Sequence, residues 1–474
     1  MSSTMKPANL DRIFKAYDVR GTVPDQLDES LARAVGNAFV QVAFGSGSGS
    51  GSGAPRGAGA GASTRSVVVG HDMRPSSPAM AAAFAEGAAE AGVDVTMIGL
   101  ASTDELYFAS GHLGVPGAMF TASHNPARYN GIKLCRAHAA PVGAESGLTD
   151  VRELVAAGTT LTADRPGRIQ SRELLDDYAD YLLELAPVSG RRLKVAVDAG
   201  NGMAGHTAPA VLGRLDLDVV PLYYELDGNF PNHEANPIEP ENLIDLQAAV
   251  RDAGADIGLA FDGDADRCFV VDERGELVSP SVLTALIADR ELKKHPGATV
   301  IHNLITSRAV PQIVGERGGV AVRSRVGHSF IKATMAETDA VFGGEHSGHF
   351  YFREFWRADS GMLAALHTLA ALAEQKSPLS AVLADYSRFA ASGEINSTVD
   401  DQAAVIERIQ ADFADEPGVE IDHLDGLTVN ADDWWFNVRA SNTEPLLRLN
   451  AEGDDEQTMA EVRDRVLSMI RGGA

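Results

Sequence analysis

Apolar runs bounded by glycine and polar residues recur along the chain and alternate between the periods of strands and helices. Residues 66–72 (SVVVGHD) predict a buried strand, the Ala-rich run 77–92 predicts a helix ended by glycine, and 93–99 (VDVTMIG) predict a second strand. A strand, a helix and a strand in this order indicate a βαβ-type unit.

The same order of elements returns twice further along the chain. Successive units begin much farther apart than the roughly 20–50 residues of solenoid repeats. The pattern therefore predicts three α/β domains of similar plan, with mixed sheets. The predicted elements are a strand at 192–200, a helix around 208–215 and a strand at 217–224, then a strand at 298–304, a helix at 308–319 and a strand at 320–327.

The last part of the chain, from about residue 389, differs from these units. It contains a helical stretch and then the segment 436–453, which predicts a strand, a loop and a strand, and so favours a smaller α+β domain. Residues 45–63 are rich in glycine, serine and alanine and predict a flexible loop inside the first domain, to which we assign no function. The predicted domains are 1–168, 169–277, 278–388 and 389–474.

Composition is that of ordinary globular domains, because 45% of the 474 residues are hydrophobic and 22% are charged. No apolar run approaches the roughly 20 residues that span a bilayer. The N-terminal residues lack an apolar core followed by a small-residue cleavage site. Cys135 and Cys268 are the only cysteines, too few for a disulfide framework. We therefore expect a cytoplasmic protein without a membrane partner, as a monomer or a homodimer.

The formal net charge of −26 argues against nucleic acid as a partner, because nucleic-acid-binding proteins present a basic face. It does not exclude a small anionic ligand. Distant carboxylates are screened over a Debye length of about 8 Å, whereas a contacting arginine stabilises an anion by about 4 kcal/mol at an effective dielectric near 20. Local charge therefore decides what such a site binds.

The segment 120–133, FTASHNPARYNGIK, raises the question of whether Ser123 caps a turn or carries a reacting group. Ser123 and His124 stand side by side after the strand-like run GAMF, and Asn125-Pro126 then fixes a turn. Lys133 closes the segment. The answer depends on the chemistry that the rest of the chain supplies.

Three aspartates on alternate positions form the strongest chemical signal in the chain. In 256–272 (DIGLAFDGDADRCFVVD) they lie between two apolar strands and precede Arg267. Such carboxylates repel one another unless a cation lies among them, and hard oxygen ligands suit Mg²⁺. The alternative is a solvated acidic turn, which the apolar flanks disfavour. The three aspartates are Asp262, Asp264 and Asp266.

Two other interpretations of this loop are possible. An EF-hand also alternates acids and would place Glu273 at its last ligand position, but Arg267 stands where the sharp turn needs glycine and the flanks are strands. An aspartyl-nucleophile phosphatase would use Asp262 as the attacking group after a buried strand. The second interpretation stays open as an enzyme alternative.

A G-x-G-x-x-G match at Gly200, Gly202 and Gly205 follows a predicted strand, with Glu225 or Asp227 as candidate ribose acids. We favour a structural interpretation, in which the glycines ease a tight strand-to-helix connection, because Ala-Pro follows where a helix should begin. Dinucleotide binding is the weaker alternative.

Two glycine- or serine-containing loops in the second half of the chain carry polar side chains. In 341–352 the side chains of Glu345, His346, Ser347 and His349 could bind sugar hydroxyls, or could be solvated on a turn. In 438–445 a guanidinium, hydroxyls and backbone N–H groups could hold a phosphate, or form a plain turn. The side chains of this second loop are Arg439, Ser441, Asn442 and Thr443.

The segment 71–77 (HDMRPSS) contains Arg74 and is a further candidate anion site. We favour the interpretation that its serines cap the following helix.

Together these loops resemble those of the α-D-phosphohexomutase superfamily, and its phosphomannomutase/phosphoglucomutase branch in particular. Five motifs in order over nearly the whole chain are specific where one alone is not. The resemblance implies a four-domain enzyme whose domains each give one loop to a central cleft. The motifs are KAYDVRG (15–21), TASHNP (121–126), DGDADR (262–267), GEHSGH (344–349) and RASNTEP (439–445).

Roles follow from the resemblance by position. Ser123 would be the phosphoserine and would hold one Mg²⁺ per active site together with the three aspartates. Lys133 matches the family's candidate general acid/base, His124 flanks the serine, and Arg267 would lie near the phosphoserine. The residues implied to contact the substrate are Tyr17, Arg20, His328, Glu345, Ser347, Arg439, Ser441, Asn442 and Thr443.

The implied reaction interconverts hexose 6-phosphate and hexose 1-phosphate through a hexose 1,6-bisphosphate, which is also the activator, with mannose favoured and glucose possible. We expect a lowered pKa for Lys133, because cations would crowd it. Phosphoglucosamine mutase is an alternative, disfavoured because the first motif is not of the T-D-G-x-R-G type. One departure from the family is Asn303, which stands near where some members carry a lysine close to the sugar.

Overall fold

The computed structural model describes residues 7–45, 65–441 and 446–472. They form two compact units, which are described separately. The first comprises Met1–Leu277 and Tyr351–Pro378, and the second comprises Val278–Phe350 and Leu379–Ala474. Most of the predicted Gly/Ser-rich insert 45–63 lies outside the described residues.

The first domain is built on a six-stranded sheet in the order β1-β5-β4-β2-β3-β6. β2 lies parallel to β3 and β4, whereas β5 runs antiparallel to β4 and β1. The strands are β1 (Val19–Thr22), β2 (Ser66–His71), β3 (Asp94–Leu100), β4 (Gly117–Phe120), β5 (Tyr129–Cys135) and β6 (Ile169–Ser171), and the helices are α1 (Pro7–Ile13), α2 (Glu29–Phe44), α3 (Ser77–Glu90), α4 (Thr103–Leu113) and α5 (Leu148–Ala156).

The core of this domain lies between the sheet and the helices α2 and α3. The central residues of β2 are buried, as an apolar run in a parallel sheet requires. Phe39, Phe84 and Phe120 pack together, with ring centroids 6.0 Å apart for the first pair and 5.6 Å apart for the second. This packing fixes the end of β4, which Ser123 follows closely in the chain.

The second domain contains a five-stranded sheet in the order β11-β10-β9-β7-β8. β7 lies parallel to β8 and β9, and β9 and β10 form an antiparallel hairpin in which Phe261 pairs with Cys268. The elements are α6 (Leu175–Leu185), β7 (Leu193–Asp198), α7 (Ala204–Leu212), β8 (Leu217–Leu222), α8 (Ile244–Ala253), β9 (Ile257–Phe261), β10 (Cys268–Asp272) and β11 (Leu277–Val278).

The next stretch of chain contributes to both units. In the second unit β12 lies between β13 and β14 and is parallel to both. In the first unit Tyr351 and Phe352 pair antiparallel with Asp359 and Ala358. The elements are α9 (Pro280–Lys294), β12 (Thr299–Asn303), α10 (Ala309–Glu316), β13 (Val320–Ser324), α11 (His328–Thr338), β14 (Phe342–Gly344), β15 (Phe350–Phe352), β16 (Ala358–Asp359) and α12 (Gly361–Ala373).

The C-terminal domain carries an antiparallel sheet in the order β17-β21-β20-β19-β18. A separate apolar core, which includes Phe413, Phe436 and Leu449, packs beneath it. α13 (Leu379–Leu383) precedes this domain, whose elements are β17 (Ala390–Thr398), α14 (Gln402–Phe413), β18 (Glu420–Asp422), β19 (Leu427–Asn430), β20 (Trp434–Ala440), β21 (Leu446–Gly453) and α15 (Glu456–Ile470).

The predicted fold class of α/β domains with mixed sheets is confirmed, but some predicted element ends are wrong. The strand predicted at 217–224 ends at Leu222, because Tyr223 adopts a left-handed φ of 53°. The helix predicted around 208–215 begins at Ala204 and accommodates Pro209. Among the helices in the described parts of the chain, none is long and apolar enough to cross a membrane.

Candidate active site

The antiparallel arrangement of β1, β5 and β4 gathers the candidate residues of the first domain. Arg20 on β1 pairs with Gly131 on β5, and Lys133 on β5 pairs with Met119 on β4. Ser123 follows the end of β4. Three segments that are distant in sequence therefore meet at one edge of the sheet.

Ser123 is almost fully buried, at 2% exposure, and has a left-handed φ of 50°. A non-glycine residue rarely adopts this conformation, and such residues cluster at functional sites. The Ser123 N–H donates to the hydroxyl of Thr121 at 2.9 Å, and the Asn125 N–H donates to the carbonyl of Ala122 at 3.0 Å. The tight turn predicted after β4 is therefore held by its own hydrogen bonds.

The hydroxyl of Ser123 faces the acidic loop between β9 and β10. Ser123 Oγ lies 2.7 Å from Asp262 Oδ2 and 3.1 Å from His124 Nδ1, and Arg267 Nη2 lies 3.0 Å from the same imidazole nitrogen. Since a guanidinium can only donate, His124 Nδ1 is the acceptor, and the single serine proton points to Asp262. Burial and the charges of Arg267 and Arg20 hold the pKa of His124 well below its usual value, so the ring is neutral.

The serine loop and the acidic loop touch through their backbones at Gly263. A Cβ at this position would lie 2.4 Å from the carbonyl oxygen of Ser123, closer than any side chain allows. Only glycine permits this approach. The sequence pattern identified both loops but gave no sign of this contact.

The three aspartates form a buried cluster. One carboxylate oxygen from each of Asp262, Asp264 and Asp266 lies within 4.8 Å of the others. Burial, and then repulsion from its two neighbours, raises the pKa of Asp262 well above the usual value. Asp264 Oδ1 has no hydrogen-bond partner among the described residues. A buried carboxylate oxygen without a partner is costly, and three hard oxygen donors fit a divalent cation.

Lys133 is held by the same cluster. Its Nζ lies 2.7 Å from Asp264 Oδ2 and 2.6 Å from Asp266 Oδ2. Burial lowers the pKa of the ammonium, but the two carboxylates outweigh burial and raise it well above the usual value. The predicted lowered pKa of Lys133 is therefore wrong, because anions surround the group where cations were expected.

Thr103, at the start of α4, supports the acidic loop from the first domain and was not predicted. Its hydroxyl donates to Asp264 Oδ2 at 2.6 Å, and its N–H donates to the Asp264 carbonyl at 3.0 Å. Ser102 caps this helix by accepting from the N–H of Glu105. The S-x-x-E pattern at 102–105 is a recognised helix start, and could have placed Thr103 after β3, beside the serine loop.

Arg20 is tied to the serine loop through a side chain. Its Nη1 donates to Asn125 Oδ1 at 2.5 Å, while Nε and Nη2 donate to Asp18 at 3.0 and 2.5 Å. Burial lowers the pKa of Arg20, but Asp18 outweighs it and raises the pKa. Tyr17 lies just before β1 and is half-buried. Both residues belong to the first unit, and the substrate contacts implied by the KAYDVRG motif stay a prediction.

The favoured interpretation of segment 71–77 as a helix cap is confirmed in position, but its serines make no capping hydrogen bond. Ser76 occupies the N-cap position of α3, but its side chain makes no capping hydrogen bond. Ser77 Oγ instead donates to Asp72 at 2.5 Å. Arg74 is fully buried and its five N–H donors are all bound within the protein, so it does not provide an open anion site.

The glycines at 200–205 pack against backbone. A Cβ on Gly202 would lie 2.8 Å from the carbonyl of Gly263, and one on Gly205 would lie 2.2 Å from that of Tyr224. The N–H of Met203 also donates to the Gly263 carbonyl at 2.9 Å. These contacts fit the structural interpretation of the motif, since the glycines bring α7 against the acidic loop.

In the second unit, Glu345 is buried and positioned by two donors. Its Oε1 accepts from the Gly327 N–H at 3.1 Å and lies 3.4 Å from Asn303 Nδ2. Asn303 is held in turn by Thr306, whose hydroxyl donates to Asn303 Oδ1 at 2.7 Å. Asn303, at which the sequence departs from some members of the family, therefore lies beside the carboxylate of Glu345, which is predicted to bind the sugar.

Ser347 and His349 share the same turn as Glu345. Ser347 Oγ lies 2.9 Å from His349 Nδ1, and that nitrogen lies 3.8 Å from Glu345 Oε2. His328 is the first residue of α11. The structure thus groups Glu345, Ser347 and His349, three of the residues of the GEHSGH motif.

In the C-terminal domain, the predicted phosphate-binding arginine shares a carboxylate with a second arginine. Arg439 Nη2 donates to Glu394 Oε2 at 3.0 Å, and Arg448 Nη1 donates to Glu394 Oε1 at 3.1 Å. The Ser441 N–H donates to the Leu446 carbonyl at 2.9 Å. Asn442 and Thr443 lie outside the described residues.

Comparison with known proteins identifies the family. Models of the phosphoglucomutase/phosphomannomutase alpha/beta/alpha domains I, II and III match residues 11–160, 176–275 and 279–389, and the model of the C-terminal domain matches 394–469. A phosphomannomutase of Salmonella typhimurium is 40% identical over 464 residues, which cover 96% of this chain and 97% of that protein. The chain belongs to the phosphoglucomutase/phosphomannomutase family.

Other members of the family share this similarity over the full length. A protein of Xanthomonas campestris named phosphohexose mutases is 41% identical over 465 residues, covering 97% of this chain and 99% of that one. A solved structure of a family member from Burkholderia thailandensis superposes with a TM-score of 0.85 at 32% identity, covering 98% of each chain. The resemblance inferred from the five motifs is confirmed.

Membership confirms that the protein is of the phosphotransferase isomerase type, because its relatives carry the names of phosphomannomutases and phosphohexose mutases. The family is metal-dependent, and the buried aspartates of the acidic loop could bind a metal ion. The roles of individual residues stay predictions at this point.

Proposed function

We propose that the protein interconverts hexose 6-phosphate and hexose 1-phosphate through a phosphorylated Ser123 and a hexose 1,6-bisphosphate intermediate. Mannose phosphate is the favoured substrate, because the similar curated proteins include phosphomannomutases, and glucose phosphate is a second substrate. The same bisphosphate serves as the activator that first phosphorylates the serine.

One observation carries this proposal: the buried hydroxyl of Ser123 lies 2.7 Å from Asp262 in a loop with a left-handed φ at the serine itself. A serine that only capped a turn would direct its hydroxyl to a backbone N–H. Phosphoryl transfer needs positioning and charge neutralisation more than covalent chemistry, and a serine beside an acidic metal-type loop and Arg267 supplies both.

One Mg²⁺ would be held by Asp262, Asp264, Asp266 and an oxygen on Ser123. When bound, the ion withdraws negative charge from the phosphoryl oxygens. Asp264 Oδ1, which has no hydrogen-bond partner in the described part of the chain, and the three buried carboxylates fit this ion. Arg267 contributes a guanidinium whose Nε lies 3.5 Å from Asp262 Oδ2, the oxygen that the Ser123 hydroxyl also faces.

During transfer, the bond between phosphorus and Ser123 Oγ breaks as a bond from a sugar hydroxyl oxygen to phosphorus forms; the sugar hydroxyl loses its proton and Ser123 Oγ takes one up. In the return half-reaction the other phosphate of the bisphosphate moves to Ser123, whose hydroxyl loses its proton, and the sugar oxygen that the phosphate leaves takes up a proton. Lys133 is the proposed acid and base. Beside Asp264 and Asp266 the raised pKa keeps the ammonium protonated and makes it a weak acid, so Lys133 can take up and return the hydroxyl proton only when it is separated from these two carboxylates.

His124 is proposed to hold Arg267 beside the serine, since its neutral Nδ1 accepts from that guanidinium. Tyr17 and Arg20 are proposed to contact the substrate in the first unit. In the second unit Glu345 accepts hydrogen bonds from sugar hydroxyls, and Arg439 binds the phosphate that does not react. The remaining proposed substrate contacts are His328, Ser347, Ser441, Asn442 and Thr443.

The domain boundaries 1–168, 169–277, 278–388 and 389–474 are part of the proposal, as are a cytoplasmic location and a monomeric or homodimeric state. Sugar phosphates are the proposed partners, with no nucleic-acid or membrane partner.

The test is a coupled assay with purified protein, Mg²⁺ and a trace of hexose 1,6-bisphosphate. We expect kcat/KM to be highest for mannose 1-phosphate, lower for glucose 1-phosphate and lowest for glucosamine 1-phosphate. A preference for glucosamine 1-phosphate would instead make the protein a phosphoglucosamine mutase. Release of inorganic phosphate without any isomer would identify a phosphatase and contradict the proposal.

A further inference from the structure

Arg74 is a fully buried arginine that makes no contact with solvent and is not part of the proposed chemistry. Its side chain lies beneath the loop that carries Ser123. A buried guanidinium is retained only when its donors are satisfied and its charge is paired. The partners of Arg74 therefore indicate what it does.

Four of those partners are backbone carbonyls of one loop. Nη2 donates to the carbonyls of Ser123 at 2.9 Å and Asn125 at 2.6 Å, and Nη1 donates to those of Pro126 and Tyr129, each at 3.0 Å. One rigid, planar group thus fixes the positions of four peptide units on either side of the turn.

The charge of Arg74 is paired below the loop. Nε donates to Asp72 Oδ2 at 3.1 Å, and Asp72 Oδ1 accepts from the Arg74 N–H at 3.0 Å and from Ser77 at 2.5 Å. Asp72 is itself fully buried, at 0% exposure. The Arg74 side chain, which holds the serine loop, is therefore anchored to the end of β2 and the start of α3, both parts of the rigid core.

The second domain covers the guanidinium from the other side. The centroid of the Phe230 ring lies 5.2 Å from the Arg74 Cζ, and a Cβ on Gly228 would lie 2.7 Å from the Arg74 Cα. An aromatic ring over a guanidinium is an attractive arrangement. Arg74 therefore connects the serine loop, which belongs to the first domain, with Phe230 and Gly228 of the second domain.

We infer that Arg74 is the positioning residue of the reaction: it sets the left-handed backbone of Ser123 and thereby aims the hydroxyl at Asp262. This inference rests on the proposed function of Ser123. It also explains the electrostatics of the loop, because four carbonyl oxygens that are bound to the guanidinium cannot face the phosphoryl group. Arg74 contacts neither Asp262 nor the hydroxyl of Ser123 directly.

The test compares Arg74→Lys with wild type and with Arg191→Lys. Arg191 also donates to a carbonyl, that of Gln375 at 3.1 Å, and to a carboxylate, that of Asp256 at 2.7 Å, but these contacts are remote from the serine loop. Lysine keeps the charge of Arg74 and loses the planar array of five donors. Thermal unfolding shows which variants are folded.

We expect folded Arg74→Lys to lose about 100-fold in kcat, since a misplacement of about 1 Å has this effect on a reacting group. Its KM should stay within about threefold of wild type, because no substrate contact is lost. Arg191→Lys should keep wild-type kcat and KM. A wild-type kcat in Arg74→Lys, or a raised KM at unchanged kcat, would overturn the inference.

A second variant decides the matter if Arg74→Lys does not fold. Phe230→Leu removes the ring over the guanidinium and leaves every hydrogen bond of Arg74 in place, and Phe230 is only half-buried. We expect about a threefold lower kcat at unchanged KM, in keeping with a weak cation–π contact. An unchanged kcat would count against Arg74. A wild-type protein without mutase activity would instead defeat the proposed function itself.

Discussion

Two charged clusters, one in each unit, have inverse composition. In the first unit one cation lies between two anions, because Lys133 Nζ is 2.7 Å from Asp264 and 2.6 Å from Asp266. In the second unit one anion lies between two cations, because Glu394 accepts from Arg439 at 3.0 Å and from Arg448 at 3.1 Å. Each cluster already contains an internal competitor for the ligand that we propose for it.

The two clusters also differ in burial. The side chains of Asp264 and Asp266 are 0% and 1% exposed, whereas those of Glu394 and Arg448 are 20% and 32% exposed. Charges in a dry site interact strongly, and charges near solvent are screened. The first cluster is therefore suited to hold a divalent ion for chemistry, and the second to bind and release an anionic group.

The largest effect is expected from removing one charge of the acidic cluster. Asp264→Asn should lower kcat by about 10²–10³-fold, the range found when one group that stabilises transition-state charge is lost. It should also raise the Mg²⁺ concentration that gives half-maximal activity. A Mg²⁺ titration of kcat measures both effects.

The matched control for this variant is Asp256→Asn, which alters a half-exposed aspartate just before β9 in the same hairpin. It should keep the wild-type titration. An unchanged Mg²⁺ requirement in Asp264→Asn would show that the acidic loop is not the metal site.

Removing the internal cation should separate binding from turnover. Lys133→Met takes the ammonium away from Asp264 and Asp266, so a divalent ion no longer competes with it. We expect about tenfold tighter binding of Mn²⁺ by calorimetry, and a kcat lower by about 10²-fold through the loss of the acid and base. Weaker or unchanged Mn²⁺ binding would argue against competition for the same carboxylates.

An arginine of the second cluster should affect substrate affinity and leave the chemistry intact. Arg439→Met should raise KM by about 30-fold at nearly unchanged kcat, as expected for a lost charge-assisted hydrogen bond to phosphate. Steady-state kinetics with hexose 1-phosphate tests this. Arg463→Met, at an arginine of α15 that pairs with Asp464, is the control and should behave as wild type. A fall in kcat at constant KM in Arg439→Met would place this arginine in the chemical step.

The smallest effect is expected from neutralising the internal anion. Glu394→Gln leaves Arg439 and Arg448 without their shared carboxylate, so KM should fall by about threefold at low ionic strength. The difference should vanish at about 1 M salt, where the Debye length is about 3 Å. A KM that rises in Glu394→Gln would mean that the carboxylate orients Arg439 more than it competes with phosphate.

Much of this picture was readable from the sequence, because the relevant signals are local. The acidic loop between two apolar strands, the turn after GAMF and the repeated βαβ order each occupy a short segment, and strand order follows from such patterns. The sequence pattern singled out Ser123 and Asp262, and the structure places Ser123 Oγ 2.7 Å from Asp262 Oδ2.

What the sequence could not supply were contacts between distant segments. The pKa of Lys133 was predicted in the wrong direction, because nothing local shows that Asp264 and Asp266 surround it. Arg74 looked like part of a helix start, whereas its partners come from the loop after β4. Nothing in the sequence around Gly263 indicated that the carbonyl oxygen of Ser123 packs against this glycine.

The most direct test is the covalent state of Ser123 in the active enzyme. Intact mass and peptide mapping after treatment with hexose 1,6-bisphosphate should show one phosphate on Ser123, stable to hydroxylamine, and Ser123→Ala should neither take up phosphate nor isomerise substrate. A hydroxylamine-labile phosphate on Asp262, or full mutase activity in Ser123→Ala, would contradict the proposed mechanism.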